Sequence, residues 1–399
     1  MKKCYLCEKN AVTELISFGN QPVAHRFLRS NNEKEYLGPL VLSQCQQCAL
    51  IQQPDPMPIH ELKPRFEWLT RVEPERHLDD LVQEMTHLPG ITKDSRVFGI
   101  SWKEDTTIKR LNALGHLNTY RLQNEDLGIV DRLSDVETIQ AQLTFKQSQE
   151  IVKAKGRADI VISRHLIEHA FDIKELLRAL KNLLKPNGYL ILEIPDCQRS
   201  METYDYSTIW EEHILYFTPA TFKAMFSYGG FSLMKFIKED YPLEHSYIGI
   251  AQAAEDLQPK LLDLQILSQE LDRAKKFANQ LVTRSKELKE YFVEYRKRHG
   301  KIAIFGAGHM CATFINLLRL KDCFEFVVDD NPHKRGMYMP GSKLPILNSS
   351  AILERDIKLC LLTLSPASEE NVLKKNHDFV TRGGVFKSIF PANPQAVNV

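Results

Sequence analysis

The sequence predicts an α/β protein of several domains, preceded by a small zinc-binding module. The first observation is length, because 399 residues exceed what one hydrophobic core normally serves. The second is the alternation of strand and helix patterns in two long stretches, which is typical of parallel sheets covered by helices on both faces. The third is a set of cysteines near the N-terminus that form two Cys-x-x-Cys pairs.

Composition and charge exclude several classes of protein. The hydrophobic content of 43% and the charged content of 26% are ordinary for a globular protein. A net charge of +1 argues against a broad binding surface for nucleic acid or for an anionic membrane. No apolar run approaches the ~20 residues needed to span a bilayer, and the N-terminus lacks the apolar core of a signal peptide. We therefore expect a cytoplasmic monomer or homodimer without a nucleic-acid or membrane partner.

The cysteine pairs predict a Zn²⁺ site in residues 1–58. A Cys-x-x-Cys turn brings two thiolates near one tetrahedral centre, and two such turns fill all of its positions. Four protein ligands leave no open position, so we expect the metal to be structural rather than catalytic. The predicted ligands are Cys4, Cys7, Cys45 and Cys48.

Helix and strand patterns divide the rest of the chain into four segments. Residues 59–90 mix charged and apolar residues at helical spacing and predict a helical connector. Residues 91–253 and 299–399 alternate strand and helix signals and predict two α/β units. Residues 254–298 contain no glycine and predict one long linking helix, with Pro259 tolerated in its first turn. The predicted strands are 96–101, 158–163, 189–195, 301–305 and 324–330; the predicted helices are 106–114, 173–184 and 310–320; and a turn is predicted at 185–188.

The ordered set of motifs resembles the sugar-nucleotide C-methyltransferases. That family is built from an N-terminal zinc-binding domain, a central class I methyltransferase domain with a Rossmann-like sheet, and a C-terminal Rossmann-like domain. The resemblance covers nearly the whole chain. The segments that carry it are, in order, Cys4-x-x-Cys7, Gly19 to Ala24, Cys45-x-x-Cys48-x-Leu50-x-Gln52, Ala158-Asp159 through Glu168-His169, Leu184 to Gly188, Glu193-Ile194-Pro195, and Trp210-Glu211-Glu212-His213-x-x-Tyr216-Phe217.

The resemblance implies an activity that depends on S-adenosylmethionine (SAM). Proton abstraction next to the keto group of a nucleotide-linked sugar would be followed by methyl transfer to the resulting carbanion. Such chemistry needs a base near the acidic carbon and donors that stabilise an enolate. His169 and His213 match the positions of the family's active-site histidines, and Glu212 is placed to orient His213. These residues are the predicted catalytic set.

The cofactor loop departs from the family pattern. Where the family has an acidic strand end and a glycine-rich turn, this chain has Phe98-Gly99-Ile100-Ser101-Trp102-Lys103-Glu104-Asp105. Glycines let the backbone approach a cofactor closely, so SAM binding follows here from the architecture and not from the loop itself. The acidic residue expected for the ribose hydroxyls is also absent near Gln123. The predicted cofactor contacts are Gly99, Ser101, Trp102, Asp105, Gln123, Arg164 and His165.

The second α/β unit is predicted to contact the substrate. Gly306-x-Gly308 lies between a strand and a helix, where a phosphate can bind, although Cys311 replaces the third glycine of a dinucleotide fingerprint. Asp329 ends the next strand, where an acid can meet a ribose. A scaffold role without a ligand is an equal alternative for this unit. The predicted substrate contacts are Trp210, Tyr216, Gly306, Gly308, Asp329 and Lys334.

Other functions stay open on the sequence alone. The same histidines could activate a sugar hydroxyl or amine for O- or N-methylation. The broken cofactor loop is also compatible with a non-catalytic sugar-nucleotide-binding paralogue. An NAD-linked enzyme using residues 306–330 is disfavoured by Cys311.

Overall fold

The structure is a computed structural model that describes residues 2–69, 73–255 and 257–397. Within these ranges, no helix combines the length and the apolarity that crossing a bilayer requires. The strands are β1 Val12–Pro22, β2 Leu37–Cys45, β3 Ile51–Gln52, β4 Val97–Gly99, β5 Thr119–Arg121, β6 Ala158–Arg164, β7 Leu184–Pro195, β8 Leu215–Tyr216, β9 Phe231–Glu239, β10 Ser246–Ala253, β11 Lys301–Phe305, β12 Val327–Val328, β13 Ile346–Leu347, β14 Ile357–Leu362 and β15 Val385–Ser388. The helices are α1 Ile59–Leu62, α2 Leu78–Thr86, α3 Asp105–Ala113, α4 Val136–Gln142, α5 Phe145–Lys155, α6 Ile173–Leu183, α7 Gln198–Glu202, α8 Pro219–Tyr228, α9 Leu264–Arg298, α10 His309–Leu317, α11 Ala351–Glu354, α12 Pro366–Lys375 and α13 His377–Thr381.

The N-terminal module is an antiparallel sheet that ends on a strand from the middle of the chain. Its strand order is β1-β2-β3-β8. The last pairing aligns Ile51 with Tyr216 and Gln52 with Leu215. Because β8 begins directly after Ile214, this pairing attaches the zinc-binding module to the segment that carries His213.

The central sheet is mixed, with strand order β5-β4-β6-β7-β10-β9. The pairings among β5, β4, β6 and β7 are parallel, whereas β10 runs antiparallel to both β7 and β9. The predicted parallel sheet is thus confirmed for β5, β4, β6 and β7, whereas β9 and β10 add an antiparallel hairpin instead of a helical crossover. The predicted turn at 185–188 belongs to β7, with Asn187 in the left-handed region at φ 63°. Helices cover both faces, since Val97 packs in the cluster with α2 and Phe98 packs in the cluster with α6.

The long helix α9 joins the central and C-terminal units. It begins at Leu264, where the side chain of Asp263 accepts a hydrogen bond from the backbone N–H of Gln265. Pro259 therefore lies before the helix, and the prediction that placed it in the first turn is wrong. The buried side chains of α9 are Glu270, Ala274, Phe277, Leu288 and Phe292.

The C-terminal unit is a five-stranded parallel sheet of order β13-β12-β11-β14-β15. Its first strand matches the predicted 301–305, whereas the strand predicted at 324–330 is reduced to β12. Gly306 follows β11 with φ 105°, and a side chain at this position would meet Thr363 and Leu364 at 2.6 Å. A glycine is therefore required at the turn that leads into α10.

Candidate active site

His169 and His213 come from segments that a backbone hydrogen bond holds side by side. His169 ends the 3₁₀ turn Ile167–His169 that follows β6, and His213 lies in the turn before β8. The N–H of Ile214 donates to the carbonyl of Glu168 over 2.7 Å. The imidazole centroids lie 4.8 Å apart at an interplanar angle of 88°, and both residues are buried. We call these two residues the histidine pair.

Gln53 of the zinc-binding module holds the turn that carries His213. Its backbone N–H donates to the carbonyl of Ile214 over 2.8 Å. Its side-chain Nε2 lies 2.6 Å from the carbonyl oxygen of His213, 3.0 Å from that of Glu211 and 3.2 Å from that of Trp210. Gln53 is 1% exposed, so its side chain supplies the hydrogen bonds that water would otherwise donate to these buried carbonyls. No motif in the sequence pointed to this residue.

Trp210 lies between two imidazoles. Its indole ring is 4.9 Å from the ring of His213 on one side and stacks at 4.2 Å on His309. The indole N–H donates to the carbonyl of Ser207 over 3.1 Å. Tyr216 is buried as well, and its hydroxyl donates to the Trp210 carbonyl over 2.8 Å and accepts from the Trp210 N–H. The polar groups of both predicted substrate contacts therefore bond within the protein.

Two buried carboxylates beside Trp210 connect the candidate active site to the other two units. Glu211 lies 3.1 Å from His309 Nε2 and accepts the backbone N–H of Ala24 over 2.6 Å. Burial raises the pKa of Glu211, but His309 and the Ala24 N–H outweigh this and hold the pKa at about 2. Glu212 faces His25 and His309, each at 3.8 Å. The role of Glu212 in orienting His213 stays a prediction.

The predicted cofactor loop folds back onto its own strand. Both carboxylate oxygens of Glu104 are used, because they accept the backbone N–H groups of Ser101 and Arg164. Complete burial raises the pKa of Glu104 to about 7 despite these bonds. A side chain at Gly99 would meet the Cβ of Glu104 at 2.8 Å. Gly99 is therefore required by this local packing, whatever it contributes to a cofactor.

A second ionic cluster lies at the carboxyl ends of β6 and β7. Arg164 donates from Nε to the carboxylate of Glu193, which also faces His77 at 3.1 Å and His165 at 3.3 Å. His165 adopts φ 48°, a conformation that costs about 1–3 kcal/mol in a non-glycine residue and persists only where surroundings impose it. Burial lowers the pKa of His165, but the acids around it, with Glu193 among them, outweigh burial and raise it to about 10.

Groups that suit the parts of SAM lie along the edge formed by the ends of β4, β5 and β6. The buried Arg164 Nη2 has no hydrogen-bond acceptor in the described part of the chain, which suits a carboxylate. Trp102 is 38% exposed and offers an aromatic face. Gln123 follows β5 and offers an amide for ribose hydroxyls. The residues therefore fit SAM through side chains, in place of the glycine-rich backbone that the loop lacks. Asp105 at the same edge is exposed and pairs with Arg121 at 2.8 Å.

In the C-terminal unit, the predicted substrate contacts stabilise the loop after β11. Asp329 accepts from the N–H of Ala307 over 3.0 Å and from Lys334 Nζ over 2.8 Å. Lys334 Nζ also donates to the Ala307 carbonyl over 2.7 Å. Gly308 has open space where a side chain would project. The loop thus leads to His309, whose ring stacks on Trp210.

The four predicted zinc ligands converge. The Sγ atoms of Cys4 and Cys48 lie 3.6 Å apart, as do those of Cys7 and Cys45, and all four lie within 4.8 Å of one another. A tetrahedral zinc with Zn–S bonds of about 2.3 Å needs sulfur atoms about 3.8 Å apart. The thiol set therefore fits Zn²⁺ and leaves no position for a substrate. Glu168 and the histidine pair also bring potential ligand atoms within 4.8 Å of one another.

Family models match three consecutive parts of the chain. Residues 4–62 match a "Putative zinc binding domain", residues 109–235 a "Methyltransferase domain", and residues 263–391 a "C-methyltransferase C-terminal domain". The C-methyltransferase NovU of Streptomyces niveus is 23% identical over 96% of this chain and 94% of its own.

Solved structures resemble the chain over less than half of its length. A SAM-dependent methyltransferase from Aquifex aeolicus is 13% identical, covering 46% of this chain and 94% of its own, with a TM-score of 0.30. Magnesium protoporphyrin IX methyltransferase from Synechocystis PCC 6803, solved with bound S-adenosylhomocysteine, is 16% identical, covering 45% of this chain and 83% of its own, with a TM-score of 0.30. The three family models in chain order and a relative matched over nearly the full length show a SAM-dependent methyltransferase that combines a zinc-binding domain, a methyltransferase domain and a C-methyltransferase C-terminal domain.

Proposed function

We propose that the chain methylates a carbon next to the keto group of a nucleotide-linked sugar. The observation that carries this proposal is the convergence of the histidine pair in a buried site, with ring centroids 4.8 Å apart. Proton abstraction next to a carbonyl needs a base at the carbon and a donor at the oxygen. Two adjacent imidazoles supply both, since the ordinary pKa of histidine lies near neutral pH.

In the proposed reaction, His213 or His169 takes the proton from the carbon, the electron pair of the C–H bond forms the C=C bond of the enolate, and the π pair of the C=O bond moves to the oxygen. The other imidazole donates a hydrogen bond to that oxygen and stabilises the enolate. Glu168 lies beside the pair and is 2% exposed, so its negative charge favours the imidazolium that forms. SAM, when bound, supplies an electrophilic methyl group.

We assign the cofactor to the edge formed by β4, β5 and β6. Arg164 would hold the carboxylate of SAM, Trp102 the adenine and Gln123 the ribose hydroxyls. The glycine-poor loop supports this assignment to side chains, because Glu104 occupies the backbone N–H groups of Ser101 and Arg164. Ser101, Asp105 and His165 would then shape the pocket wall.

We assign the nucleotide half of this small-molecule substrate to the C-terminal unit, and we place the reaction in the cytoplasm. Gly308 leaves open space in front of α10, and Lys334 supplies a cation next to the same loop. A diphosphate would be attracted by both features, because helix N-termini and ammonium groups favour anions. Asp329 keeps Lys334 in place.

Product analysis tests the proposal directly. The full chain is incubated with SAM carrying a ¹³C-methyl group and with each member of a panel of nucleoside-diphosphate keto-sugars. The matched sugar alcohols serve as controls, because they carry no acidic C–H. We expect S-adenosylhomocysteine and a product whose ¹³C signal is that of a methyl group on carbon. A methyl signal on oxygen or nitrogen, or turnover of the alcohols, would contradict carbon methylation.

A further inference from the structure

The C-terminal unit contributes an aromatic side chain to the active site that the established activity does not assign. His309 is the first residue of α10, and its ring stacks on Trp210 at 4.2 Å and 21°. Trp210 in turn contacts the ring of His213 at 4.9 Å. The side chains of His309, Trp210 and His213 therefore form one continuous row of rings.

Two polar contacts hold the His309 ring in this row. Its Nε2 lies 3.1 Å from a carboxylate oxygen of Glu211, whose other oxygen accepts the backbone N–H of Ala24 over 2.6 Å. Its Nδ1 lies 3.8 Å from Glu212. The ring is thus fixed between the N-terminal module and the segment that carries His213.

The helix behind His309 is attached to the same segment. The hydroxyl of Thr313 donates to the carbonyl of Ser207 over 2.7 Å, and that carbonyl also accepts the indole N–H of Trp210. A shift of α10 would therefore move Trp210 in two ways: through the His309 ring that stacks on it, and through the Ser207 carbonyl that accepts its indole N–H. Placement of a catalytic group to within about 1 Å can change a rate by about 10²-fold.

We propose that His309 is a positioning residue for methyl transfer, which acts by seating Trp210 against the imidazole of His213. The proposal rests on the proposed function only in naming His213 as a catalytic group. It makes the C-terminal unit part of the catalytic geometry, in addition to any contact with the nucleotide.

Two variants separate the ring contact from the polar contact. His309→Gln keeps a donor for Glu211 and loses the stacked ring. His309→Phe keeps a ring and leaves the buried Glu211 carboxylate without this partner. His377→Gln is the matched control, because His377 is an exposed histidine at the start of α13 in the same unit.

The first measurement needs no substrate. NMR spectra of the full chain, labelled with ¹⁵N in its histidines and tryptophans, report the His213 imidazole and the Trp210 indole N–H. The signals are assigned with His213→Gln and Trp210→Phe. We expect both signals to move in both His309 variants and to stay in place in the control. Unchanged His213 and Trp210 signals in folded His309 variants would overturn the proposal.

The second measurement is methyl transfer. We expect kcat to fall by about 10- to 100-fold with KM within about twofold, because positioning affects the reacting groups more than binding. His309→Phe should retain more activity than His309→Gln, because it keeps the ring that stacks on Trp210. A rise in KM with unchanged kcat would instead make His309 a binding residue and overturn the proposal. If the wild-type chain transfers no methyl group, the proposed function fails, and the NMR result still decides the role of His309.

Discussion

Replacing Gln53 with methionine tests whether the zinc-binding module holds the turn that carries His213. Methionine has a similar length and volume but no N–H donor. The Gln53 amide has two hydrogens, so it satisfies two of the three carbonyls within its reach at one time. Each net hydrogen bond stabilises by about 1 kcal/mol, and a buried carbonyl left without a donor costs about 1–3 kcal/mol.

We therefore expect Gln53→Met to lower the free energy of unfolding by about 2–4 kcal/mol. The carbonyls that lose their donor belong to Glu211 and His213, because the Trp210 carbonyl keeps the hydroxyl of Tyr216 as a donor. We expect the turn to shift and kcat for methyl transfer to fall by about 10- to 100-fold. Urea denaturation measures the first quantity, and steady-state kinetics measures the second.

Gln52→Met is the matched control for this variant. Gln52 is 0% exposed, accepts the N–H of Tyr5 over 2.9 Å and donates to the Lys3 carbonyl over 3.2 Å. Its side-chain bonds reach the zinc-binding hairpin and not the His213 turn. We expect a similar loss of stability and a kcat within about threefold of wild type. A loss of about 10²-fold in kcat is expected only where a reacting group is misplaced. A wild-type kcat in Gln53→Met, or an equal kcat loss in both variants, would refute the reasoning.

Three further outcomes follow from the geometry. Atomic absorption should find one zinc per full chain and less in Cys48→Ser, whereas a second equivalent would place a metal at the histidine pair. Burial raises the pKa of Glu104 from 4.5 to about 7, so the stability of the wild type should fall as pH rises through this interval. Glu104→Gln should be less stable at pH 5, and its stability should depend less on pH. An equal pH dependence of the melting temperature in both proteins would count against this. Tyr216→Phe should leave KM within about twofold, because the hydroxyl bonds to Trp210 and not to an open pocket, and a tenfold rise in KM would restore Tyr216 as a substrate contact.

Local patterns in the sequence predicted much of the fold. The strand at 301–305 and the helix at 173–184 follow from apolar periodicity, and the cysteine pairs follow from ligand spacing. Strand direction in the β9–β10 hairpin was not predictable in this way, because a buried strand has the same apolar pattern in a parallel or an antiparallel pairing. The start of α9 was also misplaced, since no periodicity separates residues 254–263 from the helix itself.

The candidate active site was predictable only in part. His169 and His213 are 44 positions apart, and the Ile214 to Glu168 backbone bond that joins their segments leaves no trace in local periodicity. Only the resemblance placed them together. Gln53 and His309 were missed because each is a single polar residue next to a recognised motif, and both act through long-range contacts. The signal in the sequence that could have pointed to these two residues is their position directly after Gln52 and Gly308, which belong to recognised motifs.

Hydrogen exchange at the substrate carbon is the most direct test of the two converging imidazoles. The full chain is incubated in D₂O with the nucleotide-linked keto-sugar that it methylates, without SAM, and deuterium incorporation is followed by mass spectrometry. Wild type should exchange the proton next to the keto group, while His169→Gln and His213→Gln should each slow exchange by at least about 10²-fold, the usual contribution of a general acid or base. Exchange at the wild-type rate in both variants would contradict the account.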